Sequence, residues 1–188
     1  MNNSNLLNIW REIGAYLRFA DAKNGVLFGL SATLASSYYS YVYIEPGVSW
    51  NVLTILGVKD TAAAEFLALS LFCAATLVSA VSVFPALSKH NVRVRIFNRI
   101  GKSLKITTSD DSVERSAYFF SDVAAFPTSK AYEEKLRDSS IIAGEISDGE
   151  KDIVEQIYVL SNIASSKYIQ FVLSTVFLGL AAVIAFFL

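Results

Sequence analysis

One histidine and one cysteine in 188 residues leave most familiar catalytic and metal-binding chemistry without its parts. With His90 and Cys73 each alone, histidine-based triads, cysteine–histidine dyads and multi-ligand zinc sites are excluded by inventory. No Walker or dinucleotide glycine pattern is present. Asp110 and Asp111 lack the spacing of a calcium loop and read as a solvated helix cap. Cys73 lies inside an apolar block, cannot form an internal disulfide, and reads as a small buried hydrophobe. A charge bias is missing too: the net charge of -1 removes any general electrostatic attraction to nucleic acid. The expectation is a protein that is not an enzyme, with no metal, no cofactor and no nucleic-acid partner.

What is abundant is apolar residues, 53% of the chain, gathered in blocks with the charges between them. Residues 25–44, 66–87 and 168–188 carry no charge and reach the roughly 20 residues that a helix needs to cross a bilayer. Isolated strands cannot span lipid with unpaired backbone groups, so the blocks predict three transmembrane helices in an all-α membrane protein. Pro85, near the end of the second block, is expected to bend its last turn. A cleaved signal peptide is the alternative for the first block, but the leader is long and mixes Glu12 and Asp21 with its basic residues.

Lysine and arginine set the orientation. The leader has Arg11, Arg18 and Lys23, residues 45–65 have Lys59 alone, and the remaining twelve of the sixteen lie in 88–167. Basic residues stay inside, so residues 1–24 and 88–167 are expected in the cytoplasm, 45–65 as an outer loop, and Leu188 at the outer face of the membrane. Tyr38, Tyr39, Tyr41, Tyr43 and Trp50 then fall at the outer headgroup layer, where amphipathic rings are favoured. Gly25, Gly29, Ala32, Ser36 and Ser40 repeat at helical spacing on the first span, and Ser70, Ala74, Ser79 and Ser82 on the second. Such stripes let helices approach closely, within one chain or between chains.

Helical periodicity continues outside the blocks. Leu6, Ile9, Trp10, Ile13, Leu17 and Ala20 form an apolar seam after a cap at Ser4 or Asn5, predicting one helix over about 5–44. Ser147 and Glu150 form a capping box, and Ile153, Ile157, Leu160 and Ala164 lead into a second long helix over 148–188. Between them, 91–97 alternates Val92, Val94 and Ile96 with Asn91, Arg93 and Arg95, a strand period that a basic helix also fits; helix is slightly favoured. Asp111 and Glu114 suggest a capped helix ending at Phe126-Pro127, and Ser129 begins a short helix closed by Gly144. At the membrane surface Asp21, Lys23 and Lys167 form a candidate polar hinge, against the simpler reading of lysines snorkelling to headgroups.

FADAKNGVLFGLSATL (19–34), FPALS (84–88), YFFSDVAAF (118–126), YEEKL (132–136) and DIVEQIYVLSNIASSKY (152–168) together resemble the Pycsar transmembrane effectors, in order and over most of the chain. The resemblance implies a bacterial anti-phage role. A partner nucleotide cyclase makes a cyclic pyrimidine mononucleotide (cCMP or cUMP) on infection, the effector senses it, and the inner membrane is compromised in abortive infection. Three spans with small-residue stripes make a poor pore alone, so a homo-oligomer is expected. The cytoplasmic region is too short and too helical for a cyclic-nucleotide-binding β-roll, so a nucleotide site here must be built from helices. Phosphate needs basic donors, and a pyrimidine needs a ring to stack on and amides to read its edge. The candidates are Arg93, Arg95 and Arg99 for phosphate, Tyr118, Phe119 and Tyr132 for stacking, and Gln156 and Asn162 as readers. A membrane-anchored scaffold that recruits a cytoplasmic partner without sensing a nucleotide is the alternative function, with the arginines binding lipid headgroups.

Overall fold

The computed structural model describes residues 2–44, 62–84, 90–104, 116–142 and 146–187. All regular structure among them is helical: α1 (Asn2–Tyr39) widening into a π-helical segment (Ser40–Ile44), α2 (Ala62–Val83), α3 (His90–Ser103), α4 (Phe120–Ala124), α5 (Ser129–Asp138) and α6 (Asp148–Phe187). Both long helices expected from periodicity are present. α1 has 38 residues and is about 57 Å long, but it starts at Asn2, ahead of the expected cap. α6 has 40 residues and begins as expected. The Glu150 amide donates to the Ser147 hydroxyl at 3.4 Å and the Ser147 amide to the Glu150 carboxylate at 2.9 Å, the reciprocal pair of a capping box. Those hydrogen bonds hold the Glu150 carboxyl below its ordinary range. The alternating segment 91–97 is helical throughout.

The chain divides into two units, Met1–Asp21 with Ser88–Ile169, and Ala22–Leu87 with Gln170–Leu188. In the first, Leu6, Ile9 and Ile13 of α1 and Val154, Ile157 and Ala164 of α6 are buried in one core with Phe120, Val123, Tyr132, Leu136, Ile141 and Ile142. Each fully buried aliphatic side chain there contributes about 1.5–3 kcal/mol. Trp10, expected on the same seam, is 40% exposed: the α1 stripe is narrower than its apolar composition suggests.

The helix expected to run to Phe126 from a cap near Asp111 is much shorter. The Ser116 hydroxyl accepts from the amides of Tyr118 (3.1 Å) and Phe119 (3.3 Å), and the Asp122 carboxylate accepts from the Ser116 amide at 3.0 Å. These local bonds offer the backbone an alternative to helix, and α4 starts only at Phe120. The proposed Asp111 and Glu114 cap lies outside the described residues. α5 starts where expected, with the Thr128 hydroxyl accepting from the Ala131 amide at 3.2 Å. It ends well before Gly144, which is itself outside the described residues. Ser140 adopts φ 56° and its amide donates to the Arg137 carbonyl, while the Ile141 amide donates to the Leu136 carbonyl. This is a Schellman turn with serine in the place usually held by glycine.

In the second unit two helices are long and apolar enough to cross a membrane, over Ala63–Val83 and within Asp148–Phe187. The first block is not among them. Ser31, Thr33, Ser36, Ser37 and Ser40 with four tyrosines dilute its apolar character, and its last five residues are π-helical. α2 buries Ala68, Phe72, Ala75, Ser79 and Ser82. Ser79 and Ser82 thus lie on its packed face as the stripe suggested, whereas Ser70 does not. Gly29 and Ser36 of the α1 stripe are exposed, and so is Cys73, which is not the buried hydrophobe its surroundings implied. The bend expected at Pro85 falls outside the described residues.

Candidate functional site

A cavity of about 720 Å³ lies within the first unit, walled by α3, α6 and the turn from α4 to α5. Val94, Arg95, Asn98 and Arg99 are spaced so that α3 turns all four to one side, and all four line it. α6 contributes Tyr158, Val159, Asn162 and Ile163, and the turn contributes Phe126 and Pro127. The Tyr158 hydroxyl donates to the Phe126 carbonyl at 3.1 Å, which fastens the turn to α6.

Two amides meet across the cavity wall. Asn98 Nδ2 donates to Asn162 Oδ1 at 3.3 Å, and Asn162 Nδ2 donates to the Tyr158 carbonyl at 2.9 Å. This leaves Asn98 Oδ1 buried with no hydrogen-bond partner among the described residues, an acceptor that a ligand donor can satisfy. Arg95 and Arg99 are exposed, and no carboxylate stands among the described lining residues. Two forked guanidinium donors, an open amide acceptor and two aromatic residues suit a small anion bearing a planar polar ring.

Arg95, Arg99 and Asn162, three of the residues singled out from sequence, are therefore brought together. Arg93 lies on α3, but its side chain is outside the described ones. Tyr118 and Phe119 are exposed in the turn before α4, where the Phe119 ring centroid lies 6.3 Å from that of Tyr16. Tyr132 is fully buried and donates its hydroxyl to the Ala117 carbonyl at 3.0 Å. Burial pushes its phenol well above the ordinary value of 10.0. Gln156 is exposed on α6 and does not line the cavity. Sequence reasoning missed Asn98, Phe126 and Tyr158. Asn98 could have been found by extending the helical reading of 91–97 by one residue, which sets it beside Arg95 and Arg99.

At the candidate hinge, the Lys167 ammonium is paired with the Asp21 carboxylate, joining α6 to α1 within the first unit. The Lys167 side chain is 12% exposed but that of Asp21 is 46% exposed, so water still partly screens the pair. Lys23 belongs to the second unit, where its ammonium stands 5.0 Å from the centroid of the Phe171 ring.

Comparison with the curated proteins and with the solved structures gave no match. The family model of the Pycsar effector protein domain matches residues 5–188, taking in both long helices and the cavity. No catalytic family is found, and two apolar helices of spanning length agree with a membrane protein. The chain belongs to the Pycsar effector family, whose members are anti-phage defence effectors.

Proposed function

We propose that this effector senses a cyclic pyrimidine mononucleotide in the cavity of its first unit and, on binding, impairs the bacterial inner membrane. The observation that carries this reading is the convergence of Arg95 and Arg99 with Asn98 and Asn162 on one cavity with no carboxylate among its described lining residues. The arginines take the cyclic phosphate, the open oxygen of Asn98 accepts from the base, and Phe126 or Tyr158 supplies a ring face. A nucleotide cyclase supplies the ligand, and membrane lipid is the target. Co-expression with a pyrimidine cyclase should depolarise the cell membrane, while the chain alone should not. Depolarisation without the cyclase, or none with it, defeats this function and leaves recruitment of a cytoplasmic partner.

The reading requires three spans, with 25–44 as the first and residues 1–24 and 88–167 in the cytoplasm. In intact cells lacking Cys73, an impermeant maleimide should label a cysteine placed at position 50 and spare one at position 130. The reverse pattern overturns the topology.

It also requires several copies acting together. A Cβ at Gly29 would meet no described atom within 4 Å beyond its own stretch of helix, and Gly29 is exposed, so Gly29→Leu is chosen to report on contacts between chains. The expected result is a shift to smaller species in crosslinking from native membranes. A chain that is monomeric with and without nucleotide removes the oligomer from the mechanism.

A further inference from the structure

Four aromatic side chains of the first unit lie on its surface: Tyr16 and Phe19 on α1, Phe119 in the turn before α4, and Tyr168 on α6, each between 43% and 58% exposed. Three of them meet around the buried ring of Phe120. Its centroid lies 4.9 Å from that of Phe119, 5.4 Å from that of Tyr16 and 6.3 Å from that of Tyr168. Phe19 is three residues from Tyr16 on the same face of α1 and shares a surface groove with it. The rings therefore form one contiguous patch drawn from three elements rather than scattered exposed residues, and a contiguous apolar patch marks an interaction surface.

The place of the patch along the chain identifies what covers it. Tyr168 is followed in the same helix by residues 169–187 of α6, which carry no charge and belong to a helix apolar enough to cross a membrane. Tyr168 thus stands at the entrance to that stretch, and Phe119 is one ring away from it across Phe120. Phe19 lies about 9 Å along α1 from Gly25, where the charge-free block 25–44 begins. Aromatic rings at such entrances are favoured in the headgroup layer, where an apolar body meets lipid and a phenol meets water. Charge agrees with lipid as well. Arg18 is exposed between Tyr16 and Phe19, and Asp21 is paired with Lys167. Glu12, exposed on the same face of α1, lies a turn behind Tyr16 on the side away from the charge-free block.

We infer that Tyr16, Phe19, Phe119 and Tyr168 are a lipid-contact patch that seats the first unit in the headgroup layer of the leaflet where α6 enters, with Arg18 meeting lipid phosphate. α4 carries Phe120 beneath this patch and Ser121 and Ala124 on the wall of the cavity, so lipid and a cavity ligand bear on the same five-residue helix. The inference rests on the reading that α6 crosses the bilayer, and it does not depend on the identity of the nucleotide.

The test is tryptophan fluorescence of the full chain with Trp10→Phe and Trp50→Phe, in liposomes of phosphatidylethanolamine and phosphatidylglycerol. Each variant carries one new tryptophan. Phe119→Trp exchanges one exposed ring for another and should be quenched at least about twofold by lipid brominated near the headgroup, with blue-shifted emission. Lys151→Trp, exposed about 25 Å before Tyr168 along α6, should emit as in water and resist quenching. Leu180→Trp, exposed within the charge-free stretch, should be quenched by lipid brominated near the chain end. Quenching of Leu180→Trp with Phe119→Trp no more quenched than Lys151→Trp overturns the patch and leaves the span standing. Blue-shifted but unquenched emission from Phe119→Trp also overturns it, and assigns the surface to a second copy of the chain. An unquenched Leu180→Trp overturns the spanning reading itself, and the lipid patch with it.

Discussion

The double substitution Arg95→Gln and Arg99→Gln is expected to lower affinity for a cyclic pyrimidine mononucleotide at least about a hundredfold, since each charge-assisted contact contributes roughly 1.5–3 kcal/mol. Both side chains are exposed and neither belongs to the core of the first unit, so the fold should survive. Calorimetry on the solubilised chain, with liposome flotation as a second readout, separates two roles. Loss of nucleotide binding with flotation intact places the guanidiniums on the ligand. Unchanged nucleotide affinity with weaker flotation places them on lipid headgroups and removes them from the site. Asn98→Ala should cost less, about tenfold, because it removes one neutral acceptor. Asn98→Asp should cost more than Asn98→Ala by bringing a negative charge beside the phosphate.

The long helices were legible because their signals are local: a 3.6-residue apolar period, the absence of proline, and the Ser147 and Glu150 pair that the structure reproduces atom for atom. Errors arose where local chemistry competes with period. Ser116 and Asp122 divert the backbone from helix, and Ser140 takes a left-handed turn that composition assigns to glycine. The first block, 25–44, was harder to read because a charge-free stretch rich in serine and tyrosine satisfies a rule about charge while failing one about apolarity. Half of the cavity was legible for a different reason. Arg95 and Arg99 stand out as charge in excess of what anchors one helix, but the Asn98 to Asn162 contact joins positions 64 residues apart. Spacing within one segment carries no information about such a pair. The stacking residues were misplaced on similar grounds: a tyrosine in an amphipathic helix reads equally as core or as binding surface until its burial is known.

Tyr132 settles that ambiguity by experiment as well. Its ring is fully buried, Phe126 packs against it with centroids 5.7 Å apart, and its hydroxyl holds the carbonyl of Ala117, itself only 5% exposed. Tyr132→Ala should destabilise the first unit by about 3–5 kcal/mol, the cost of emptying a buried aromatic position, which is a large share of a typical domain's stability of about 5–15 kcal/mol. Tyr132→Phe keeps the ring and strands one carbonyl, at about 1–2 kcal/mol. A pure stacking residue would give another pattern, with Phe binding nucleotide normally and Ala folding normally. The phenol adds a pH dependence whose sign follows from burial. Its folded pKa lies above 10.0, so the stability it contributes is complete below that value and is lost as pH rises beyond it, when only the unfolded chain releases the proton. Hydrogen exchange at Leu6, Val123 and Leu136 should therefore accelerate in alkali in the native chain, and this tyrosine's share of the acceleration should vanish in Tyr132→Phe. If Tyr132→Ala exchanges at the native rate, the ring does not hold this core together.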